Sequence, residues 1–169
     1  MNSDTQPTPP PSGDDGTTGL PGGLRVRKSD AAVRAGGSLD ELSAALGLVR
    51  VALADAETIQ LLESIQRDLL HIGAELATGR PQPNASGAID LDGDMQRLNA
   101  ELPSLNEFIL PGKNEASARA HWARTVCRRA ECDLVSVQDQ APERISAGML
   151  TTLNRLSRWL FALARSLEL

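Results

Sequence analysis

The stretch from Ile145 to Leu167 reads ISAGMLTTLNRLSRWLFALARSL and decides the fold class. Large apolar residues recur in it every three or four positions, which places them on one face of an α-helix. Pro142 precedes the stretch, and we expect this proline to lie in the first turn of the helix. The apolar face consists of Ile145, Met149, Leu153, Leu156, Leu160, Leu163 and Leu167.

The same spacing occurs in three earlier segments. Ser38 and Glu41 form the pattern of a capping box, so the first helix is predicted to begin at Ser38. Asp55 is the candidate N-cap of a second helix, which Gly79 ends. Asn114 is the candidate N-cap of a long helix that reaches about Val137. The three apolar faces are Leu39, Leu42, Leu46, Val49 and Leu53; Ile59, Leu62, Ile65, Leu69, Ile72 and Leu76; and Ala118, Trp122, Val126, Ala130, Leu134 and Val137.

These four helices, with a shorter one near Asp92 to Leu102, predict an all-α protein. The expected architecture is a five-helix bundle of the ferritin-like up-down type. Aromatic residues make up only 2% of the 169 residues, which argues against a sheet-rich fold. Residues 1–12 are rich in proline and are predicted to be a disordered tail, so the folded domain is expected to span residues 13–169.

The charge and the apolar pattern exclude several classes of partner. The net charge of −5 argues against a general nucleic-acid binder. The sequence contains no run of about 18 apolar residues, so no membrane span is predicted. Cys127 and Cys132 are poorly placed for a disulfide, and the N-terminal residues lack the regions of a secretory signal. We therefore expect a cytoplasmic protein without nucleic-acid or membrane partners.

A glycine-rich loop precedes the helices. Five glycines fall between Ser12 and Gly23, and their backbone N–H groups can converge on an anion. Asp14 and Asp15 supply carboxylates of the kind that Mg²⁺ binds. The loop is not a Walker A motif, and a flexible linker explains its spacing equally well.

Polar residues on two helices suggest a second candidate site. His121, Arg124, Arg128 and Glu131 are spaced to form one polar stripe, which we predict to lie opposite Trp122. A solvated helix face is the usual meaning of such a pattern. Arg124, Arg128 and Arg129, however, place three positive charges on less than two turns, which favours an anion or a carboxylate nearby. On the last helix, Asn154 and Arg158 share a face away from the leucines.

Several of these pieces occur together and in order. The segments are Gly13–Thr18 (GDDGTT), Leu39–Leu42 (LDEL), Gly73–Thr78 (GAELAT), Phe108–Gly112 (FILPG), Ala123–Glu131 (ARTVCRRAE) and Leu153–Ser157 (LNRLS). In this combination the chain resembles the PduO-type ATP:cob(I)alamin adenosyltransferases over about residues 12 to 166. The resemblance implies a homotrimer with active sites at the subunit interfaces. It also implies transfer of the 5′-deoxyadenosyl group of ATP to cobalt, with release of triphosphate.

The resemblance also implies substrates, partners and residue roles. ATP, cobalamin and Mg²⁺ are the expected ligands, and a corrinoid reductase or an adenosylcobalamin-dependent enzyme is a further implied partner. Arg124 would pair with Asp40 of the partner subunit, and Phe108 would be the hydrophobic wedge under the corrin. No protein residue is assigned as a certain metal ligand, because Mg²⁺ would be held through the phosphates. The residues implied to bind or support ATP are Gly13, Asp14, Asp15, Gly16, Thr17, Thr18, Lys28, Arg128, Glu131 and Asn154.

The chain departs from the family pattern at several places, of which one removes a phosphate-binding lysine and two reverse a charge. Pro10-Pro11-Ser12 stands where the family usually has Thr-Lys-Thr, and Arg34 and Arg158 replace residues that are usually acidic. The alternative function is therefore a catalytically weakened or non-catalytic relative that binds a corrinoid or regulates a partner. ATP binding distinguishes the two functions, because only the adenosyltransferase requires it. A helical bundle without any ligand would leave the glycine loop and Phe108 unexplained.

Overall fold

A computed structural model describes residues 13–80 and 90–169 of the chain. The predicted disordered tail, and with it Pro10-Pro11-Ser12, lies outside the described residues. In the described ranges the chain forms five α-helices and one two-stranded sheet, which confirms the all-α, five-helix prediction. The helices are α1 (Ala31–Arg50), α2 (Ala56–Thr78), α3 (Leu91–Glu101), α4 (Glu115–Gln140) and α5 (Ala147–Ser166).

The glycine-rich segment contains a small β-hairpin rather than only a loop. Strand β1 (Thr17–Gly19) pairs antiparallel with β2 (Arg25–Arg27), and Thr17 lies opposite Arg27. Gly22 and Gly23 have positive φ angles of 89° and 83°, which lets the chain reverse between the strands. The hairpin therefore gives the glycine segment a defined place next to the start of α1.

Two predicted helix starts are wrong. Helix α1 begins at Ala31, because the Asp30 side chain already accepts a hydrogen bond from the Ala32 N–H at 2.9 Å. Ser38 lies inside that helix, where its hydroxyl donates to Asp133 Oδ2 at 2.5 Å. Pro142 lies in a separate 3₁₀ turn (Pro142–Arg144), and α5 begins only after Ser146.

Other caps follow the sequence pattern. The Asp55 side chain accepts from the Thr58 N–H at 2.8 Å, and the Asn114 side chain accepts from the Ser117 N–H at 2.9 Å. Gly79 ends α2 with a φ of 63°, a left-handed conformation that glycine adopts without strain.

The core lies between α1, α4 and α5, with α2 packed on α1 and α3 packed on α5. The predicted apolar faces of α1, α2 and α5 point into it, apart from the partly exposed Leu53, Ile59 and Leu167. Trp159 is fully buried, and its indole N–H donates to Asp94 Oδ2 at 2.7 Å, which ties α5 to α3. None of the helices in the described ranges is long and apolar enough to cross a membrane.

The predicted buried face of α4 is partly wrong. Trp122 is 45% exposed, whereas His121 and Cys127 are buried. Helix α4 packs against both α1 and α5, so it needs a wide buried face built largely from small residues. That face is Ser117, Ala120, His121, Ala123, Val126, Cys127, Ala130, Leu134 and Val137.

Candidate functional site

A pocket of about 350 Å³ opens between α3, α4 and α5. Four arginines, two from α4 and two from α5, line it, and we call it the arginine pocket. Arg128 and Arg158 are exposed at its surface, whereas Arg124 and Arg165 are half-buried. Its lining residues are Met95, Asn99, Arg124, Arg128, Ser157, Arg158, Phe161, Ala162 and Arg165.

An aromatic ring organises the inner end of the arginine pocket. The Phe161 ring has the Arg124 guanidinium 5.6 Å from its centroid and the Arg165 guanidinium 6.0 Å from it. Cation–π attraction stabilises both contacts. Arg165 is further held because its Nη2 donates to the Pro103 carbonyl oxygen. The inner end thus presents an aromatic surface between two fixed positive charges.

His121 lies behind this ring and not on the solvated stripe that the sequence predicts. It is 3% exposed and contacts Phe161 edge to face, with centroids 6.1 Å apart. Burial, and secondly the positive charge of Arg124, lower the pKa of His121, while Glu168 at 3.9 Å opposes the shift. The histidine is therefore neutral near pH 7, and neither ring nitrogen has a hydrogen-bond partner among the described residues.

The positive charge of the arginine pocket is not balanced within the described part of the chain. No carboxylate there forms an ion pair with any of the four arginines, and Arg124 Nε is buried without a hydrogen-bond partner. Arg129, by contrast, pairs with Glu41. Glu131 is half-buried on α4 and forms no ion pair with described residues. The pocket is therefore a place where an anion gains from unbalanced positive charge.

Asp15 shapes the glycine loop. Its Oδ1 accepts from the Thr17 N–H at 3.0 Å and from the Thr17 hydroxyl at 2.7 Å, and it lies 3.5 Å from Arg25 Nη2. The Thr17 hydrogen bonds, with a smaller contribution from Arg25, lower the pKa of Asp15. Asp15 therefore serves the loop's own structure, while Asp14 remains exposed and unpaired among the described residues.

Lys28 brings a cation to the loop. Its backbone N–H donates to the Gly16 carbonyl oxygen at 2.9 Å, and a Cβ atom on Gly13 would lie only 3.4 Å from its Nζ. Gly13 and Gly16 have positive φ angles of 109° and 76°. A side chain at Gly13 would therefore be strained by the backbone, and its Cβ atom would lie 3.3 Å from the Thr17 carbonyl oxygen.

The described residues fit Mg²⁺ only as an ion shared with phosphates. No group of three or more His, Cys, Asp or Glu side chains in residues 13–80 and 90–169 is arranged to hold a metal. Mg²⁺ is commonly held by one or two carboxylates together with substrate phosphates, and Asp14 supplies one free carboxylate.

Asp40 lies in a second groove, formed by β1, α1 and α2. This groove has a volume of about 210 Å³ and includes Thr18, Gly36, Gly37 and Gly73 in its lining. It shares no residue with the arginine pocket, and Asp40 forms no ion pair with a described residue of its own subunit. We call it the Asp40 groove. Asp40 and the residues of the arginine pocket therefore lie on two separate surfaces of one copy of the chain.

The loop between α3 and α4 carries Phe108. Its side chain is fully exposed, as is nearly all of Leu110. The loop borders a pocket of about 260 Å³ that also includes Arg165, a residue of the arginine pocket. The loop that carries this exposed apolar tip therefore approaches Arg165, although Phe108 itself lines neither pocket. Asn154 is exposed on α5, one turn before Arg158, and lines neither the arginine pocket nor the Asp40 groove.

Sequence reasoning missed Phe161 and Arg165 as members of the site, and it placed Arg158 on a polar face with Asn154 without assigning it to this pocket. A signal for them was present. Asn154, Arg158, Phe161 and Arg165 recur at spacings of four, three and four along α5, beside the leucine face. This spacing places all four on one side of a helix, directed toward the same region as Arg124 and Arg128.

Comparison with known proteins identifies the family. A family model described as Cobalamin adenosyltransferase matches residues 11–167. The chain is 43% identical over 162 residues to the Corrinoid adenosyltransferase PduO of Salmonella typhimurium, which covers 92% of this chain and 48% of that protein. It is 42% identical over 163 residues to a Corrinoid adenosyltransferase of Mycobacterium bovis, covering 91% of this chain and 84% of the relative. The chain spans about half the length of the PduO relatives.

Solved structures agree with this assignment. A variant PduO-type ATP:corrinoid adenosyltransferase from Lactobacillus reuteri, complexed with cobalamin and ATP, superposes with a TM-score of 0.82 at 29% identity. The match covers 93% of this chain and 91% of that chain. A second variant of the same enzyme, also with cobalamin and ATP, has a TM-score of 0.80 and 30% identity. On the family match and these relatives, the chain belongs to the cobalamin adenosyltransferase family.

Proposed function

We propose that this chain transfers the 5′-deoxyadenosyl group of ATP to the cobalt of cob(I)alamin. The Co–C5′ bond forms while the bond between C5′ and the triphosphate oxygen breaks, so the products are adenosylcobalamin and triphosphate. The observation that carries this proposal is the arginine pocket. Its unbalanced positive charge suits a group that leaves with several negative charges.

The protein's task is positioning and charge balance rather than activation of a nucleophile. Cob(I)alamin is itself a very strong nucleophile, so the attack needs no general base. The one histidine near the pocket, His121, is buried and neutral, which agrees with a reaction that needs none. We assign Arg128 and Asn154 to ATP, with Glu131 as support. Holding the two substrates in line supplies much of the rate acceleration.

The glycine loop is the second part of the ATP site in this proposal. Gly13 to Thr18 would hold the triphosphate through backbone N–H groups, with Lys28 as a nearby cation. Asp14 is the residue we expect to approach a Mg²⁺ ion that bridges the phosphates. Asp15 and Thr17 hold the loop in shape through their mutual hydrogen bonds.

The two surfaces meet if the chain forms a homotrimer. The Asp40 groove and the glycine loop lie on the β1–α1–α2 side, whereas the arginine pocket lies on the α3–α4–α5 side. Two neighbouring copies would join these surfaces at each interface of a cyclic trimer. Asp40 of one copy would then pair with Arg124 of the next, because neither has an ion-pair partner among the described residues of its own subunit.

Phe108 is the proposed contact to the corrin. A fully exposed aromatic side chain, on a loop that borders Arg165, suits a residue that packs under the ring and displaces the lower axial ligand, which makes the cobalt easier to reduce. We propose the cytoplasm as the location, where thiols such as the exposed Cys132 stay reduced. A corrinoid reductase or an adenosylcobalamin-dependent enzyme is the protein partner that this chemistry calls for.

The alternative is a non-catalytic relative that binds a corrinoid or regulates a partner. The observation that favours it is the sequence Pro10-Pro11-Ser12 before the glycine loop, since prolines provide neither a cation nor a backbone donor. Under this alternative the corrinoid binds and ATP does not.

An oxygen-free assay separates the two functions. The protein is mixed with ATP, Mg²⁺ and chemically reduced cob(I)alamin, and the visible spectrum and triphosphate release are followed. We expect the spectrum of adenosylcobalamin to appear with an equal amount of triphosphate. A corrinoid that stays bound while neither product forms would contradict the transferase proposal and favour the binding relative.

A further inference from the structure

Arg158 is one of the four charged residues that line the arginine pocket. Arg158 is exposed, and its helix places it between Phe161 on one side and Asn154 on the other. It lines the pocket together with Arg128 of α4. Its guanidinium forms no hydrogen bond or ion pair with a described residue. No described residue of the same chain therefore neutralises its positive charge.

The neighbouring arginines on the same helix differ in this respect. Arg155 pairs with Asp92 at 3.3 Å, and Arg165 donates to the Pro103 carbonyl oxygen. Placing a third and a fourth guanidinium around one pocket costs electrostatic energy unless an anion is present. A planar guanidinium binds phosphate oxygens through two parallel N–H donors, a geometry that suits a polyphosphate chain.

We propose that Arg158 is an additional phosphate-binding residue, which together with Arg128 binds the polyphosphate chain of ATP in the arginine pocket. The inference rests on the proposed function in taking ATP as the source of the polyphosphate. The glycine loop of the partner subunit then holds the polyphosphate from one side, and the arginines of α4 and α5 hold it from the other.

Binding of inorganic tripolyphosphate tests this directly. Calorimetric titrations of the full chain compare wild type with Arg158→Gln, Arg158→Lys and the matched control Arg155→Gln, and ATP is titrated in the same way. We expect Arg158→Gln to weaken binding of both ligands about tenfold or more, which is the size of effect of one charged hydrogen-bonding group. Arg158→Lys should retain part of the affinity. Arg155→Gln should stay within about twofold, because its partner lies outside the pocket.

The dependence on salt adds a second readout. Losing one cation that contacts the anion should flatten the decrease of affinity with rising salt concentration, and loss of a merely structural residue should not. Unchanged tripolyphosphate and ATP affinities in Arg158→Gln would overturn the inference. So would an equal loss in Arg155→Gln, or a loss that affects only cobalamin binding measured by its visible spectrum.

The outcomes separate this inference from the proposed function. If wild type adenosylates cob(I)alamin while Arg158→Gln binds ATP normally, the transferase proposal stands and the role of Arg158 is wrong. If tripolyphosphate binding depends on Arg158 but wild type forms no adenosylcobalamin, the phosphate-binding role stands and the transferase proposal is wrong.

Discussion

Arg128 and Arg129 are adjacent, equally charged and both exposed, yet their surroundings differ. Arg128 lines the arginine pocket without an ion-pair partner among the described residues, whereas Arg129 pairs with Glu41 of α1. One is positioned to bind a ligand, and the other contributes a surface ion pair of the kind that adds little to stability. Their sequence neighbourhood is the same, so only the helix face distinguishes them.

This contrast gives a matched pair of variants. Arg128→Ala should abolish adenosyl transfer and weaken ATP binding by about 1.5–3 kcal/mol, the value of a hydrogen bond to a charged group. Arg129→Ala should keep near-normal activity. Circular dichroism should show wild-type helicity in both. Full activity of Arg128→Ala would exclude its proposed role.

The two cysteines offer a test of burial at single residues. Burial, with a smaller effect of Glu131, raises the pKa of Cys127 to about 12, and Cys132 is exposed. Only the thiolate reacts with alkylating reagents, and a raised pKa keeps the thiol protonated up to strongly alkaline pH. At pH 8 the folded protein should therefore be labelled at Cys132 alone, and both cysteines should react after unfolding. Mass spectrometry checks this, and rapid labelling of Cys127 in the folded state would contradict the packing of α4.

Helix α4 links the core to the site. Its N-terminus is held by Asn114, whose Oδ1 accepts from the Ser117 N–H and whose Nδ2 donates to the Leu167 carbonyl oxygen at 2.6 Å. Lys113 Nζ donates to the Glu168 carbonyl oxygen at 2.7 Å. These bonds fasten the end of α5 to the start of α4, close to the loop that carries Phe108.

Loss of this cap should be measurable. Asn114→Ala should lower the free energy of unfolding by about 0.5–2 kcal/mol, the usual range for an N-cap. Asn106→Ala, in the exposed loop before α4 and without a hydrogen bond to a described residue, is the control and should change it by less than about 0.5 kcal/mol. Urea unfolding measures both. Equal stability of the two variants would show that the cap does not hold α4.

Helices were predictable where one apolar face alone decides the structure. The stripes of α1, α2 and α5 identified their buried faces, and the caps at Asp55 and Asn114 were found correctly. The start of α1 was predicted wrongly, because Ser38 and Glu41 have the pattern of a capping box, whereas Asp30 supplies the cap. The orientation of α4 failed because that helix packs on two sides, and the choice between His121 and Trp122 as the buried residue depends on tertiary neighbours.

The site could be predicted only in part for a related reason. Arg124, Arg128 and Phe108 stand out through charge clustering or through the family resemblance. Phe161 and Arg165 share a helix face with Arg158, but the same spacing occurs on any solvated face, so the packing of α5 against α4 is needed to identify them as site residues. Which surface of a second copy would complete the pocket in the proposed trimer is not encoded in local spacing at all.

For the whole molecule, the main consequence is that one copy of the chain carries candidate site residues on two separate surfaces. The Asp40 groove and the arginine pocket share no residue, and each contains charges that lack a partner in the described chain. If a cyclic trimer joins them, a subunit defective in one half can still contribute the other half to a working site.

Complementation between two variants, each expected to be defective in one half of the proposed site, tests whether neighbouring copies share that site. Asp40→Asn and Arg128→Ala proteins are combined in equal amounts, dissociated, reassembled and assayed for adenosylcobalamin formation, with sedimentation used to confirm trimers. Random assembly into cyclic trimers leaves about one quarter of the sites with both native halves, so about one quarter of wild-type activity should return. Activity no higher than the average of the two separate variants would show that each site lies within one subunit, and would exclude a site shared between subunits.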